Sequence, residues 1–329
     1  METSWYSIDK NPLETIFRRI RELGYRVIAP IRLNEDHVVL DFANKFDEVS
    51  LDFIRPRNNP KSFLFPNEDT LLYFDYRSQN IKSPLNHSEK LALFCIHPCD
   101  ANAIYVLDKM LLDPPEDPYY MLRRRNLMIV VLDCEKADDY CFCESVESRV
   151  PRVYDLWIVP SSSKYFISIG SRLGSLIIDH LPIKKDRSPE IRELNVKKYS
   201  FDWSHLRDLY DNEVWRELSE QCVLCGSCLS SCPTCVCFDV VDRVSHDLNA
   251  CRRVRVWDSC IFRTFTMLAG GRIVRKSPEE RFKFRFYHKF VFIKERYGVF
   301  GCTGCGRCIS RCSSHIHPLE VVSEVLRNA

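Results

Sequence analysis

Two short segments late in the sequence each carry four cysteines at one spacing, C-x2-C-x2-C-x3-C. This spacing is typical of proteins that hold two [4Fe-4S] cubanes. The upstream motif contains Cys222, Cys225, Cys228 and Cys232, and the downstream motif contains Cys302, Cys305, Cys308 and Cys312. The chemistry that eight thiolates at this spacing would support is one-electron transfer, because the irons of a cubane share a single added charge.

The predicted ligation is crossed between the motifs. A cubane offers four iron corners, and a tight turn with a cysteine at every third residue reaches three of them, while the fourth cysteine points toward the other cube. Gly226, Gly304 and Gly306 suit such turns, because glycine accepts left-handed backbone angles. We therefore expect two clusters with the following ligands: Cys222, Cys225, Cys228 and Cys312 for one, and Cys302, Cys305, Cys308 and Cys232 for the other.

Two alternatives to the cubanes follow from the cysteine content. The chain has 17 cysteines, an odd number, and neighbours in the motifs lie too close for a conventional disulfide framework. Structural zinc usually takes two separated C-x2-C pairs, which four crowded cysteines match poorly. Cys235 and Cys237 could compete for an iron, but we interpret both, like Cys251 and Cys260, as small apolar packing groups.

A third group of cysteines lies in the first half of the chain. Its members are Cys99, Cys134, Cys141 and Cys143. Four thiols could hold one more [4Fe-4S] cluster, which could be the contact point for a partner's redox centre. A zinc site and unliganded thiols remain alternatives, and Cys95 could replace Cys99, although Leu-Phe-Cys-Ile is more typical of a buried strand. His97 is a weaker ligand candidate, because a hydrogen-bonded turn histidine fits its position better.

Several ordered segments resemble one family. The chain resembles the β subunits of cytosolic nickel–iron hydrogenases of the sulfhydrogenase type and is similar to the iron–sulfur subunit of anaerobic sulfite reductase. The segments that carry the resemblance are HPCDANAI (97–104), CFC (141–143), CPTCVCFDV (232–240), WDSC (257–260), AGGR (269–272) and RFYHKFVFIKERYGVFGCTGCGRC (285–308). One departure is Ser313, where the family's motif has proline.

The resemblance implies an α+β architecture, with a mixed α/β N-terminal domain followed by an α-helical ferredoxin domain that holds two [4Fe-4S] clusters. It also implies an electron-transfer subunit of a soluble multi-subunit oxidoreductase. The implied partners are a nickel–iron hydrogenase or sulfur-reducing module and a flavin-containing NAD(P)H diaphorase subunit. The alternative partner is a sirohaem sulfite reductase. A stand-alone iron–sulfur enzyme or a nucleic-acid-binding module is a more distant alternative.

The nucleic-acid alternative depends on the basic, aromatic stretch at 272–290. Phe282, Phe286, Phe290 and Ile293 recur at near-helical spacing, which favours a core or docking face, and the cations could stabilise nearby anionic clusters. The sequence contains neither a P-loop nor G-x-G-x-x-G, so we expect no flavin or nucleotide on this chain. It also contains no readable catalytic arrangement, which favours an electron carrier over an enzyme.

Composition sets the remaining expectations. A formal net charge of +2 argues against a dedicated nucleic-acid or membrane-surface binder. The start of the chain lacks a secretion signal and the apolar runs are strand-sized, so we expect a cytoplasmic protein without membrane insertion. The charged stretch at 183–196 predicts a boundary between an N-terminal domain, 1–195, and the ferredoxin domain, 196–329.

Periodicity predicts the elements that position these cysteines. The N-terminal domain should contain helices from Asn11 to Gly24 and from Asn102 to Leu112, and strands at 26–31, 37–42, 127–132 and 165–170. The C-terminal domain should be mostly helical. Its predicted helices are 208–222, 260–269, 278–295 and 319–326.

Overall fold

The computed structural model describes residues 4–86 and 89–328, and its chain forms two compact units. Both units are assembled from separate stretches. The first comprises residues 1–60, 88–197 and 303–305, and the second comprises residues 61–87, 198–302 and 306–329. The simpler division into 1–195 and 196–329 stays a prediction.

Strands and helices alternate through the described residues. The strands are β1 (Trp5–Ile8), β2 (Arg26–Asn34), β3 (His37–Ala43), β4 (Glu68–Asp75), β5 (Asn80–Lys82), β6 (Leu91–Ile96), β7 (Leu127–Leu132), β8 (Leu156–Pro160), β9 (Tyr165–Ile169), β10 (Lys184–Asp186), β11 (Phe238–Val244) and β12 (Ala250–Trp257). The helices are α1 (Leu13–Glu22), α2 (Lys61–Leu64), α3 (Pro98–Leu111), α4 (Pro118–Arg125), α5 (Arg172–Ile178), α6 (Trp203–Asp208), α7 (Val214–Glu220), α8 (Ser227–Ser230), α9 (Pro278–Tyr287), α10 (Ile293–Tyr297), α11 (Arg307–Ser310) and α12 (Pro318–Arg327).

The first unit is built on an eight-stranded mixed sheet with the order β10-β1-β9-β8-β7-β6-β2-β3. Its centre, from β2 through β6 and β7 to β8, is parallel. Strand β7 is buried along its whole length, as its uninterrupted apolar sequence predicts for a central parallel strand. Because β6 and β7 are adjacent and parallel, the segments that follow them emerge at the same edge of the sheet. Those segments carry Cys99 and Cys134.

The second unit contains a four-stranded antiparallel sheet, β11-β12-β4-β5, so the prediction of a mostly helical C-terminal part is wrong. The signal for the β11–β12 hairpin was readable in the sequence. Val254 and Val256 alternate with arginines, and the turn at 245–249 is polar. The pairing of β12 with β4 joins residues far apart in the chain, which local patterns cannot reveal.

The predicted helices of the C-terminal part have different outcomes. The 260–269 segment is not helical: it forms turns and one 3-10 turn at Arg263–Thr266. The 208–222 segment is broken between α6 and α7, because Asn212 starts the second helix by accepting a hydrogen bond from Val214 N–H at 2.9 Å. The 278–295 prediction is confirmed, since α9, a π-helical segment at His288–Phe292 and α10 follow without interruption.

The aromatic stripe of this long helix forms a core, as its spacing indicates. Phe282, Phe286 and Phe290 are at most 1% exposed, and Ile293 is 3% exposed. Trp215 of α7 packs against Phe282 and Phe286. The rings of this stretch therefore serve the interior of the second unit.

Candidate iron–sulfur site

The two cysteine motifs adopt the same backbone pattern. In the upstream motif, Leu224 and Gly226 have φ values of 55° and 79°, and in the downstream motif Gly304 and Gly306 have φ values of 64° and 76°. Left-handed residues that alternate with right-handed ones turn successive backbone N–H groups toward one side, which forms the anion-binding concavity used at iron–sulfur sites. Leu224 adopts this conformation without the freedom of glycine, which costs about 1–2 kcal/mol.

Each turn leads into a short helix. Helix α8 follows the upstream turn and carries Cys228, and α11 follows the downstream turn and carries Cys308. The two helices lie against each other within the second unit. Cys232 and Cys312 each come two residues after their helix. The repeated motif is therefore also a repeated structure.

The structure brings the last cysteine of the downstream motif near the upstream one. Burial raises the pKa of Cys222, and the negative charges of Cys228 and Cys312 raise it further. Burial likewise raises the pKa of Cys228, with Cys232 and Cys312 among the charges that add to it. Three of the ligands predicted for the upstream cubane thus lie close enough to interact electrostatically: Cys222, Cys228 and Cys312.

Two buried cations from the long helix lie among the motif cysteines. The Lys289 ammonium is 3.2 Å from Cys232 Sγ, and it also donates to Thr234 Oγ1 and Gly301 O, both at 3.0 Å. Burial opposes its charge, but the sulfurs of Cys232, Cys235 and Cys302 raise the pKa of Lys289 well above its usual value.

Arg285 has the same surroundings. It is 5% exposed, and the thiols of Cys228, Cys308 and Cys235 raise its pKa despite burial. A buried cation is stable only beside negative charge. Sulfur is the negative partner of both cations, which fits cysteine thiolates and the anionic clusters they hold.

Cysteines outside the motifs surround the same region. The Cys235 thiol donates a hydrogen bond to Cys232, which lowers the pKa of Cys232 well below its usual value, and Lys289 contributes to the shift. The buried Lys61 ammonium donates to Cys235 O at 2.7 Å and lies 3.6 Å from the centre of the Trp257 ring. Sequence analysis missed Lys61, because it reaches this unit from a distant segment.

The N-terminal cysteines are also brought together in part. Burial raises the pKa of Cys134, and the charges of Asp133, Cys143 and Cys141 add to the effect. Burial and the charge of Cys141 raise the pKa of Cys143 to about 12. The structure thus groups three of the four predicted ligands. Cys99 lies in the first turn of α3, at the sheet edge from which the Cys134 segment also emerges.

Two arginines supply positive charge to this group. Arg55 donates to Cys141 Sγ at 3.1 Å and to Cys305 O at 2.9 Å, and it pairs with Asp138. Arg149 forms a bidentate ion pair with the buried Asp133, with both distances 2.7 Å. No sequence motif marks Arg55 or Arg149.

The remaining N-terminal candidates have structural explanations. Cys95 is fully buried in β6, as its apolar context predicts. His97 stacks on Phe53, and its ring nitrogens lie 3.2 Å from Leu132 O and 3.2 Å from Phe53 O. The interpretation of His97 as a hydrogen-bonded turn residue is confirmed.

The downstream turn packs on the C-x-C segment within the first unit. Phe142 N–H donates to Gly304 O at 3.0 Å. A Cβ added to Gly304 would lie 2.4 Å from Cys143 N and 2.5 Å from Cys143 Cα. Thr303 Oγ1, in the same turn, is buried and has no hydrogen-bond partner among the described residues, which leaves its hydroxyl available to a cluster sulfide.

This close approach gives a first prediction. Gly304→Ala should destabilise the protein by about 3 kcal/mol or more and lower its iron content, because it adds a backbone clash to a left-handed φ. Gly24→Ala is the matched control, since Gly24 has a φ of 83° with no atom near its absent Cβ. The control should lose only about 1 kcal/mol. Equal melting temperatures and iron contents for the two variants would contradict the packing argument.

The donor set fits [4Fe-4S] clusters. Thiol groups are arranged in repeated turns with buried cations and a buried hydroxyl beside them, and all 17 cysteines lie in the described ranges without a disulfide. Among the residues described, no group of three or more His, Cys, Asp or Glu side chains is placed to hold a single metal ion. No helix in the described ranges is long and apolar enough to span a membrane.

Comparison with known proteins agrees with this geometry. Residues 221–316 match the family described as "4Fe-4S dicluster domain". The chain is 33% identical over 324 residues to sulfhydrogenase 2 subunit beta of Pyrococcus furiosus, and the alignment covers 94% of each chain. No solved structure matches. Paired cysteine turns, a matching dicluster domain and similarity along nearly the whole chain together show that this protein belongs to the sulfhydrogenase beta-subunit family.

Proposed function

We propose that the chain is the iron–sulfur electron-transfer subunit of a hydrogenase complex. The observation that carries this proposal is the pair of identically shaped cysteine turns inside a region that matches a 4Fe-4S dicluster domain. When bound, the clusters would supply reversible one-electron storage. The protein's part is to hold them, to offset their charge and to set how easily they accept an electron.

The crossed ligand assignment is part of the proposal. Its support is the electrostatic proximity of Cys312 to Cys222 and Cys228, and of Cys232 and Cys302 to Lys289. We propose a third cluster at Cys99, Cys134, Cys141 and Cys143. Arg55 and Arg149 would offset its charge, as Lys289 and Arg285 would for the other two.

The route of electrons follows from packing within the first unit. The Gly304–Cys305 turn lies on the Phe142–Cys143 segment, and Arg55 contacts both Cys141 Sγ and Cys305 O. A third cluster at these cysteines would therefore adjoin the downstream motif. We propose that electrons enter or leave through it and pass next to the downstream cubane and then to the upstream one.

The proposed partners come from the family. The relative's name describes a beta subunit of a sulfhydrogenase, which implies further subunits. We propose that this chain relays electrons between a nickel–iron hydrogenase or sulfur-reducing module and a flavin-containing NAD(P)H diaphorase subunit. Cysteines that remain as thiols suit the reducing interior of a cell, where we expect the complex to work.

Electron delivery in the native complex tests this function. The complex, purified without oxygen, should show partial bleaching of its iron–sulfur absorbance under hydrogen, and again when NAD(P)H is the only donor. Removing this chain should abolish transfer between the two donors while each remaining subunit keeps its own partial activity. Unchanged hydrogen-to-NAD(P) transfer without the chain would refute the relay, and sirohaem in the catalytic subunit would refute the hydrogenase assignment.

A further inference from the structure

We propose that Cys237 and Cys260 form a redox-active dithiol that reduces small anions containing a sulfur–sulfur bond, using electrons from the neighbouring clusters. The inference rests on the proposed electron-transfer function. It gives a chemical role to two cysteines that sequence analysis interpreted as packing groups.

The base of the β11–β12 hairpin brings the two thiols together. Cys237 directly precedes β11, and its carbonyl accepts a hydrogen bond from Asp258 N–H at 3.0 Å, which continues the pairing of Phe238 with Trp257. The chain then turns so that Cys260 faces Cys237. Both the thiol and the backbone N–H of Cys260 donate hydrogen bonds to the Cys237 sulfur.

The two thiols differ in access. Cys237 lines a pocket of about 160 Å³ together with Cys235, Lys61 and Trp257, whereas Cys260 is 3% exposed and does not line the pocket. Thiol–disulfide exchange needs this order, in which an accessible thiol attacks the substrate and a covered second thiol completes the reaction. Cysteines that only filled space would not require a pocket in front of one of them.

The surroundings favour a thiolate at Cys237 and an anion in the pocket. The hydrogen bonds from Cys260 lower the pKa of Cys237 to about 7, and Lys289 contributes. The buried Lys61 supplies an ammonium to the pocket wall. The Asp258 carboxylate also lines the pocket, and it accepts a hydrogen bond from Ser259 N–H at 2.7 Å. The volume restricts substrates to small molecules.

The chemistry balances with the groups named. The Cys237 thiolate attacks one sulfur of the S–S bond, that bond breaks, and one half of the substrate leaves as an anion. Cys260 then loses its proton and attacks the Cys237 sulfur, which releases the second half and leaves a Cys237–Cys260 disulfide. Two reduced cubanes give one electron each, and two protons from water restore the dithiol.

The pocket also adjoins the source of those electrons. Cys225 and Gly226 of the upstream motif line it, opposite the thiol pair. A substrate reduced there would lie beside the upstream cubane of the proposed relay. The site would therefore form a two-electron exit at one end of a chain of one-electron carriers.

Tetrathionate is a suitable probe, because it is a small anion whose S–S bond cleavage releases thiosulfate. The complex would be reduced with titanium(III) citrate, desalted and mixed with tetrathionate without oxygen. We expect thiosulfate release together with cluster reoxidation. Cys237→Ser should reduce release to the background rate, and Cys260→Ser should stop after one thiosulfate, with the other half still bound to Cys237 in the mass spectrum.

Cys251→Ser is the matched control, since Cys251 is a buried cysteine of β12 that does not line the pocket. It should behave as the unsubstituted protein does. Lys61→Met should weaken the response to tetrathionate but not to neutral hydroxyethyl disulfide. Thiosulfate release by Cys237→Ser at the control rate, or no Cys237–Cys260 disulfide in the unsubstituted protein after tetrathionate, would overturn the inference.

The controls separate this inference from the proposed function. Wild-type protein that accepts electrons from titanium but does not react with tetrathionate would refute the dithiol site alone. Wild-type protein without reducible clusters would refute the relay. Because a change at Cys237 can disturb the clusters, the absorbance of Cys237→Ser is compared first, and the adduct on Cys260→Ser decides the matter if the clusters are altered.

Discussion

Replacing Cys312 with alanine is expected to remove the upstream cubane, although Cys312 belongs to the downstream motif. Under crossed ligation, the cluster at Cys222, Cys225 and Cys228 loses its fourth thiolate, and the protein loses up to four irons. The cluster that remains is the one bound at Cys232 and Cys302. Iron analysis and low-temperature electron paramagnetic resonance of the reduced protein measure the loss.

A second substitution identifies which cubane remains. Lys289 lies beside Cys232 and interacts with Cys302, so Lys289→Met should alter only the downstream cluster. In Cys312→Ala, the surviving cluster should therefore still respond to Lys289→Met. If it does not respond, each motif holds its own cube and the crossed assignment is wrong.

The complementary variant needs a precaution. Cys235 donates a hydrogen bond to Cys232 and could take its place as an iron ligand. Cys232→Ala alone could therefore keep its cluster, whereas Cys232→Ala with Cys235→Ala should lose the downstream cubane. The surviving upstream cluster should then be insensitive to Lys289→Met.

The second large effect concerns the Lys289 charge itself. Lys289→Met should lower the reduction potential of the downstream cluster, because a positive charge stabilises the reduced, more negative form. A unit charge about 8 Å from the cluster centre, at an effective dielectric constant of about 20, contributes roughly 2 kcal/mol, which corresponds to a shift on the order of 100 mV. A redox titration followed by electron paramagnetic resonance measures this shift.

Lys283→Met is the matched control for this prediction. Lys283 is also buried and lies on the same long helix, but its ammonium donates to Tyr210 O at 2.8 Å, and its ion-pair partners are carboxylates. The control should shift the potential much less. A shift of equal size in both variants would mean that the lysine acts through general charge or folding, and not through the contact with Cys232.

The sequence predicted the elements whose signals are local. The run Leu127–Leu132 is apolar without interruption, and strand β7 has the same bounds. The motif glycines at 226, 304 and 306 adopt the left-handed angles that cubane turns require. The long basic, aromatic helix was predicted, and its cations do lie among the cysteines, with Arg285 and Lys289 as the two that matter.

The rest depended on contacts between distant segments. Lys61 and β4 join the second unit from the first quarter of the chain, and no local pattern announces that pairing. Arg55 reaches Cys141 and Cys305 across large sequence separations. Cys237 and Cys260 meet only because the hairpin register places them at its base. The hairpin itself could have been predicted from the alternation around Val254 and Val256.

The central claim is that this chain holds cubanes which carry single electrons, and metal analysis of the anaerobically purified protein with spin counting after reduction tests it most directly. Three cubanes predict twelve irons and twelve sulfides per chain, no zinc, and signals from interacting reduced [4Fe-4S] clusters. Eight irons would remove only the N-terminal cluster. Zinc at the motif cysteines, or iron that accepts no electrons, would contradict the account.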